Sequence, residues 1–135
     1  EMHSGFGTLR EVCTMNIGIR VRLTEVSPAL ARDVARLEDL WREGLTRFGG
    51  PFLAGSAFTA VDAFFAPVAF RIQTYGVQVS APSAAYVKLL LDLPAMRRWE
   101  AAALQETWRE PAHEAEAKRS GEWTADLRAV APKAV

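Results

Sequence analysis

An all-α fold is what this chain of 135 residues predicts, and three observations predict it. Apolar side chains recur at three- and four-residue intervals along most of the chain, and Gly and Pro punctuate those stretches. Residues 59 to 75 then form a capped, almost wholly apolar run that is too short to cross a bilayer. A helix with no polar face must be surrounded by other helices, so this run predicts the centre of a helical domain.

In the first segment Met2, Phe6, Leu9 and Cys13 fall at intervals of four, three and four, which puts them on one face of a helix that Gly5 and Gly7 weaken. Glu1 ahead of Met2 in this pattern suggests that the helix starts upstream. From Ile17 the period becomes two: Ile17, Ile19, Val21 and Leu23 alternate with Gly18, Arg20, Arg22 and Thr24. A lone strand cannot satisfy its backbone groups, and no second apolar alternation of this kind follows, so the expectation is an extended connector.

The next helix is the clearest by pattern. Ser27 suits the cap, Pro28 suits the first helical position, and Leu30, Val34, Leu37, Trp41, Leu45 and Phe48 form one stripe before Gly49 and Gly50 stop it. Arg32, Asp33, Arg36, Asp39, Arg42 and Glu43 lie off that stripe as a solvated face, with Glu38 and Arg42, and Glu43 and Arg47, spaced to pair. After the loop of residues 49 to 55, Thr59 and Asp62 stand three apart. This is an Asp version of the capping box: Thr59 accepts the amide hydrogen of residue 62, and Asp62 reaches back to the amide of Thr59. Burial makes the box necessary, because enclosed helix-end amides cannot turn to water. Pro67 removes one amide donor inside the helix and predicts a kink, and Gly76 after Tyr75 is the stop.

A shorter helix is expected from Pro82 to Leu91, with Tyr86, Leu89 and Leu90 inward. Pro94 opens the following helix, in which Met96, Trp99 and Ala103 share a face and which fades before Pro111. His113 to Arg119 reads as a charged surface helix, after which Trp123, Leu127 and Val130 pack the tail back.

Composition excludes several function classes. Lys and Arg total 16 and Asp and Glu total 16, so no net field gathers nucleic acid or an anionic membrane, and neither is an expected partner. The start carries no signal-peptide pattern, and the expected location is cytoplasmic. The single cysteine, Cys13, is in phase with Phe6 and Leu9, which reads as packing rather than thiolate chemistry. His3 and His113 belong to no spaced ligand cluster, so no metal site is expected. Asp62 reads as a structural cap rather than a general base, because its spacing from Thr59 already accounts for it.

The run Gly50-Pro51-Phe52-Leu53-Ala54-Gly55, followed by Phe58-Thr59-Ala60-Val61-Asp62-Ala63, resembles the loop and capped core helix in the C-terminal domain of glutathione S-transferases. The order of elements agrees. A helix ending in Glu1-Met2-His3-Ser4-Gly5-Phe6, a long Leu/Trp helix, the capped helix, and Leu93-Pro94-Ala95-Met96 opening a later helix look like the bacterial members. The resemblance covers residues 1 to 108 and leaves 109 to 135 as a C-terminal extension. Phe58 faces the small Ala63, where family members commonly staple the cap with two large apolar residues.

The resemblance implies the helical bundle of that C-terminal domain, on the hydrophobic-substrate side of a transferase. Such a protein conjugates or reduces a hydrophobic small-molecule electrophile with glutathione, which binds mainly to an N-terminal thioredoxin-like domain. No strand, helix and strand alternation with a Val-Pro turn occurs among the 135 residues, so no catalytic residue is named and the chain alone is expected to be inactive. The resemblance also implies a wall of the substrate site, mainly from the first helix, and part of a homodimer interface. His3, Phe6 and Arg10, three to four residues apart, are the candidate substrate-binding residues, placed by helix phase. The alternative is a non-catalytic protein-interaction module on the same fold, whose surface an exposed apolar patch would dominate.

Overall fold

The structure, a computed structural model, describes residues 1–128. Its elements are α1 (Gly7–Val12), β1 (Ile19–Leu23), α2 (Pro28–Phe48), α3 (Ala60–Tyr75), α4 (Ala81–Asp92), α5 (Pro94–Gln105), α6 (Pro111–Ser120) and β2 (Gly121–Asp126). The domain is thus mostly helical, with one small two-stranded sheet. No helix among the described residues is long and apolar enough to cross a membrane.

The caps place the helix ends. Ser27 Oγ accepts the Leu30 amide hydrogen at 3.2 Å, Pro28 opens α2, and Gly49 closes it in the left-handed region at φ 77°. Leu30, Val34, Leu37 and Trp41 are buried as the stripe requires, whereas Phe48 at its end is 54% exposed. Of the two expected ion pairs on the outer face, Glu43 and Arg47 lie 3.8 Å apart. Arg42 turns to Asp39 instead, and Glu38 leaves the helix surface to accept from the Ser80 amide at 2.7 Å and the Ser80 hydroxyl at 2.5 Å, tying α2 to the start of α4.

At the centre, α3 packs between α4 and β1. Trp41 is fully buried and meets Phe65 and Tyr86 edge-on at centroid distances of 5.7 and 5.0 Å. The helix runs unbroken through Pro67 to Tyr75, and Gly76 closes it at φ 58°. In α4, Tyr86, Val87 and Leu90 are buried while Leu89 is half-buried. In α5, Met96 is buried and Trp99 sits edge-on to Phe70 at 5.2 Å while remaining 42% exposed.

Three expectations are corrected. The segment read as an extended connector is a strand: β1 pairs antiparallel with β2, with Val21 opposite Trp123 and Leu23 opposite Gly121. The partner escapes a local reading because Glu122, Thr124 and Asp126 face solvent and only one large apolar side chain, Trp123, alternates with them. The first helix is shorter than its apolar spacing suggests. Glu1 to Gly5 form a turn in which the Gly5 amide bonds to the Glu1 carbonyl at 2.7 Å, and Phe6, at φ 58°, enters α1. The central helix, finally, is not enclosed on all sides, because Val61 and Phe64 are 45% and 58% exposed. In the tail, Trp123 is half-buried and Leu127 is 49% exposed, while Val130 lies outside the described residues.

Candidate functional site

The N-terminus of α3 organises the residues around it. Thr59 and Asp62 close the capping box in both directions, with the Thr59 amide donating to Asp62 Oδ2 at 2.9 Å. Asp62 does more than its spacing implies. Fully buried, it also accepts the Thr59 hydroxyl at 3.1 Å, the Leu53 amide at 3.0 Å and the Tyr86 hydroxyl at 2.8 Å. One carboxylate thereby joins the loop of residues 49 to 55, the start of α3 and the middle of α4. Burial, and then the proton held toward Asp62, push the Tyr86 phenol above its ordinary range. In place of a staple to Ala63, Phe58 packs edge-on against Phe52 at 6.0 Å.

Beside this junction lies an apolar cleft of about 590 Å³ between the end of α2 and the start of α3. Leu40, Phe48, Leu53, Val61 and Phe64 supply most of its wall, and Met2 and His3 close one side. Phe48, Val61 and Phe64 are the functional candidates that the sequence reading missed. For Val61 and Phe64, a helix without a polar face offers no periodic signal to tell its open side from its packed one, whereas Phe48 ends the apolar stripe of α2 and so reads as core.

The candidate residues separate in space. His3 is exposed in the N-terminal turn and lines this apolar cleft. Phe6 is 5% exposed and belongs to the core. Arg10 is exposed on α1 and lines a second cleft, although its Nη1 donates to the His3 carbonyl at 2.9 Å. The helix starts only at Gly7, so the three do not form one helical face.

The second cleft, of about 690 Å³, lies where α6 meets the end of α1, the start of α2 and the later part of α3. Arg71 stands in it. Its Nη1 donates to the carbonyls of Cys13 and, at 3.2 Å, Arg10, so the guanidinium caps the end of α1. Cys13 is fully buried, and burial pushes its thiol up to about 12, against the opposing pull of Arg71. It is therefore placed as packing, not as a nucleophile. No group of three or more His, Cys, Asp or Glu able to hold a metal occurs among the described residues.

The fold is that of a helical domain whose core helix is locked by a buried carboxylate, with one apolar and one charged cleft beside it. The model of the glutathione S-transferase C-terminal domain matches residues 22–102, more than half of the chain, and the chain belongs to that family. No curated protein and no solved structure gives a significant match. The matched span holds α2 to α4 and most of α5, whereas α6 and β2 lie beyond it.

Proposed function

We propose that this chain is the hydrophobic-substrate side of a glutathione S-transferase-like protein that conjugates or reduces hydrophobic electrophiles once joined to a thioredoxin-like domain. The observation that carries this reading is the apolar cleft at the start of the core helix. Val61, Phe64 and Phe48 are each about half exposed around it, which is a surface that a second body covers. His3 on the rim is a polar group placed to meet a substrate held between that body and the cleft, whereas Phe6 lies in the core and does not line the cleft. Arg10 holds the His3 carbonyl and so acts on the rim through the turn. Glutathione itself is assigned to the thioredoxin-like domain, and a cytoplasmic homodimer is the assembly this reading favours.

An exposed apolar patch is also what a non-catalytic interaction module would present, so the same cleft supports the second reading. Glutathione chemistry separates them. The protein joined to its thioredoxin-like domain is expected to conjugate a chloronitrobenzene with glutathione, and His3→Ala to raise KM for the electrophile more than for glutathione. The isolated chain is expected to give no saturable heat with glutathione. Conjugation absent from the joined protein would overturn the transferase reading and leave the interaction module.

A further inference from the structure

The cleft between α6 and the ends of α1 and α2 collects charge without pairing it. Arg10, Arg71 and Arg119 line it together with Glu11, Glu25 and Glu116, and none of the six forms an ion pair among the described residues. The contrast with other half-buried arginines is direct: Arg20 faces Glu100, and Arg128 faces both Glu114 and Asp126. Arg71 is half-buried, yet among the described residues its hydrogen bonds go only to the backbone carbonyls that its Nη1 caps, and its buried Nε has no hydrogen-bond partner there. Among the described residues no carboxylate pairs with this guanidinium, and only its Nη1 is hydrogen-bonded. A half-buried, uncompensated cation costs folding free energy, as its lowered pKa through burial reflects.

From this arrangement we infer that the cleft is a binding site for a compact amino-acid-like zwitterion. Its carboxylate is received by Arg71 with Arg10 and Arg119, its ammonium by Glu25 and Glu116, and its apolar side chain lies along Val12, Met15 and Leu30. Three unpaired carboxylates in the same cleft oppose a polyanion such as a nucleotide, and the three arginines oppose a simple amine. A ligand carrying one charge of each sign satisfies both sets. Because α6 supplies Glu116 and Arg119 and lies outside the family-matched span, the site is built in part by the C-terminal extension. It shares no lining residue with the apolar cleft, and Arg10, whose Nη1 also holds the His3 carbonyl, is the one residue the two readings have in common, so the test relies on the α6 charges instead.

The test is titration of the protein with L-norleucine, followed by amide NMR shifts, beside hexanoate and pentylamine, which each lack one of the two charges. Norleucine is expected to give saturable shifts at Val12, Met15, Glu25 and Arg119, with both single-charge analogues at least about tenfold weaker. Arg119→Gln and Glu116→Gln, which remove surface charges on α6, are each expected to weaken norleucine severalfold. Arg32→Gln, on α2 outside the cleft, should leave it unchanged. Hexanoate binding as tightly as norleucine would overturn the zwitterion assignment, and the absence of saturable shifts at these residues with norleucine would overturn the site.

Discussion

Asp62 shows how much of the fold rests on one side chain. The Thr59-Asp62 spacing was legible in the sequence because a capping box is a local device. Its bonds to Leu53 and Tyr86 were not, since nothing local reports which residues a loop and a later helix bring to a carboxylate. Asp62→Ala orphans two backbone amides and a phenol inside the core, so it is expected to cost about 3 kcal/mol or more in urea unfolding. Tyr86→Phe removes a single donor and should cost about 1 kcal/mol. Equal losses from the two would show that the carboxylate does not integrate the junction. Cys13 supplies a pH dependence with a definite sign. Burial lifts its thiol from the ordinary 9.0 to about 12, so above pH 9 the unfolded chain releases a proton that the folded chain keeps. Stability from this group is complete below pH 9 and lost as pH rises toward 12, at no more than about 1.4 kcal/mol per pH unit. Cys13→Ala should flatten the decline of the urea midpoint between pH 9 and 11, and an unchanged slope would assign that decline elsewhere, with Tyr75 and Tyr86 the next groups to test.

The helices show the same division between local and distant information. The boundaries of α2 and α3 followed from Ser27, Pro28, Gly49, Thr59 and Gly76, because each end is made by residues next to it in sequence. The β1 strand was visible as an alternation but unreadable as a strand, since β2 pairs with it from about a hundred residues away and carries little apolar pattern of its own. Gly121 seals that pairing: a Cβ there would stand 2.1 Å from the Arg22 carbonyl oxygen. Gly44 tests the fit of loop on helix. It lies in the interior of α2, where Ala is normally better by about 1 kcal/mol. A Cβ at this position would come 2.7 Å from the Leu53 carbonyl oxygen, and Leu53 cannot easily retreat while its amide is held by Asp62. Gly44→Ala is therefore expected to lower Tm despite the gain in helix propensity. A rise in Tm would mean that the loop yields freely.

At the scale of the molecule, the expectation that the central helix is wrapped on all sides met a face that is open at Val61 and Phe64. The helix's apolar composition does not tell this open side from the packed ones, and an exposed apolar face of this kind is a surface on which another body can dock. The proposed cover is the thioredoxin-like domain, and Phe64→Glu distinguishes a covered surface from an idle one. In the isolated chain the side chain is 58% exposed, so the substitution should change stability by less than about 0.5 kcal/mol and reduce concentration-dependent self-association. In the protein joined to its thioredoxin-like domain, the same carboxylate would enter an apolar interface without a partner. There it should separate the unfolding transitions of the two domains and depress conjugation through a higher KM for the hydrophobic substrate. If Phe64→Glu leaves the joined protein as cooperative and as active as before, the apolar face is not the domain seam, and the cover must be sought in another copy of the chain or a separate protein.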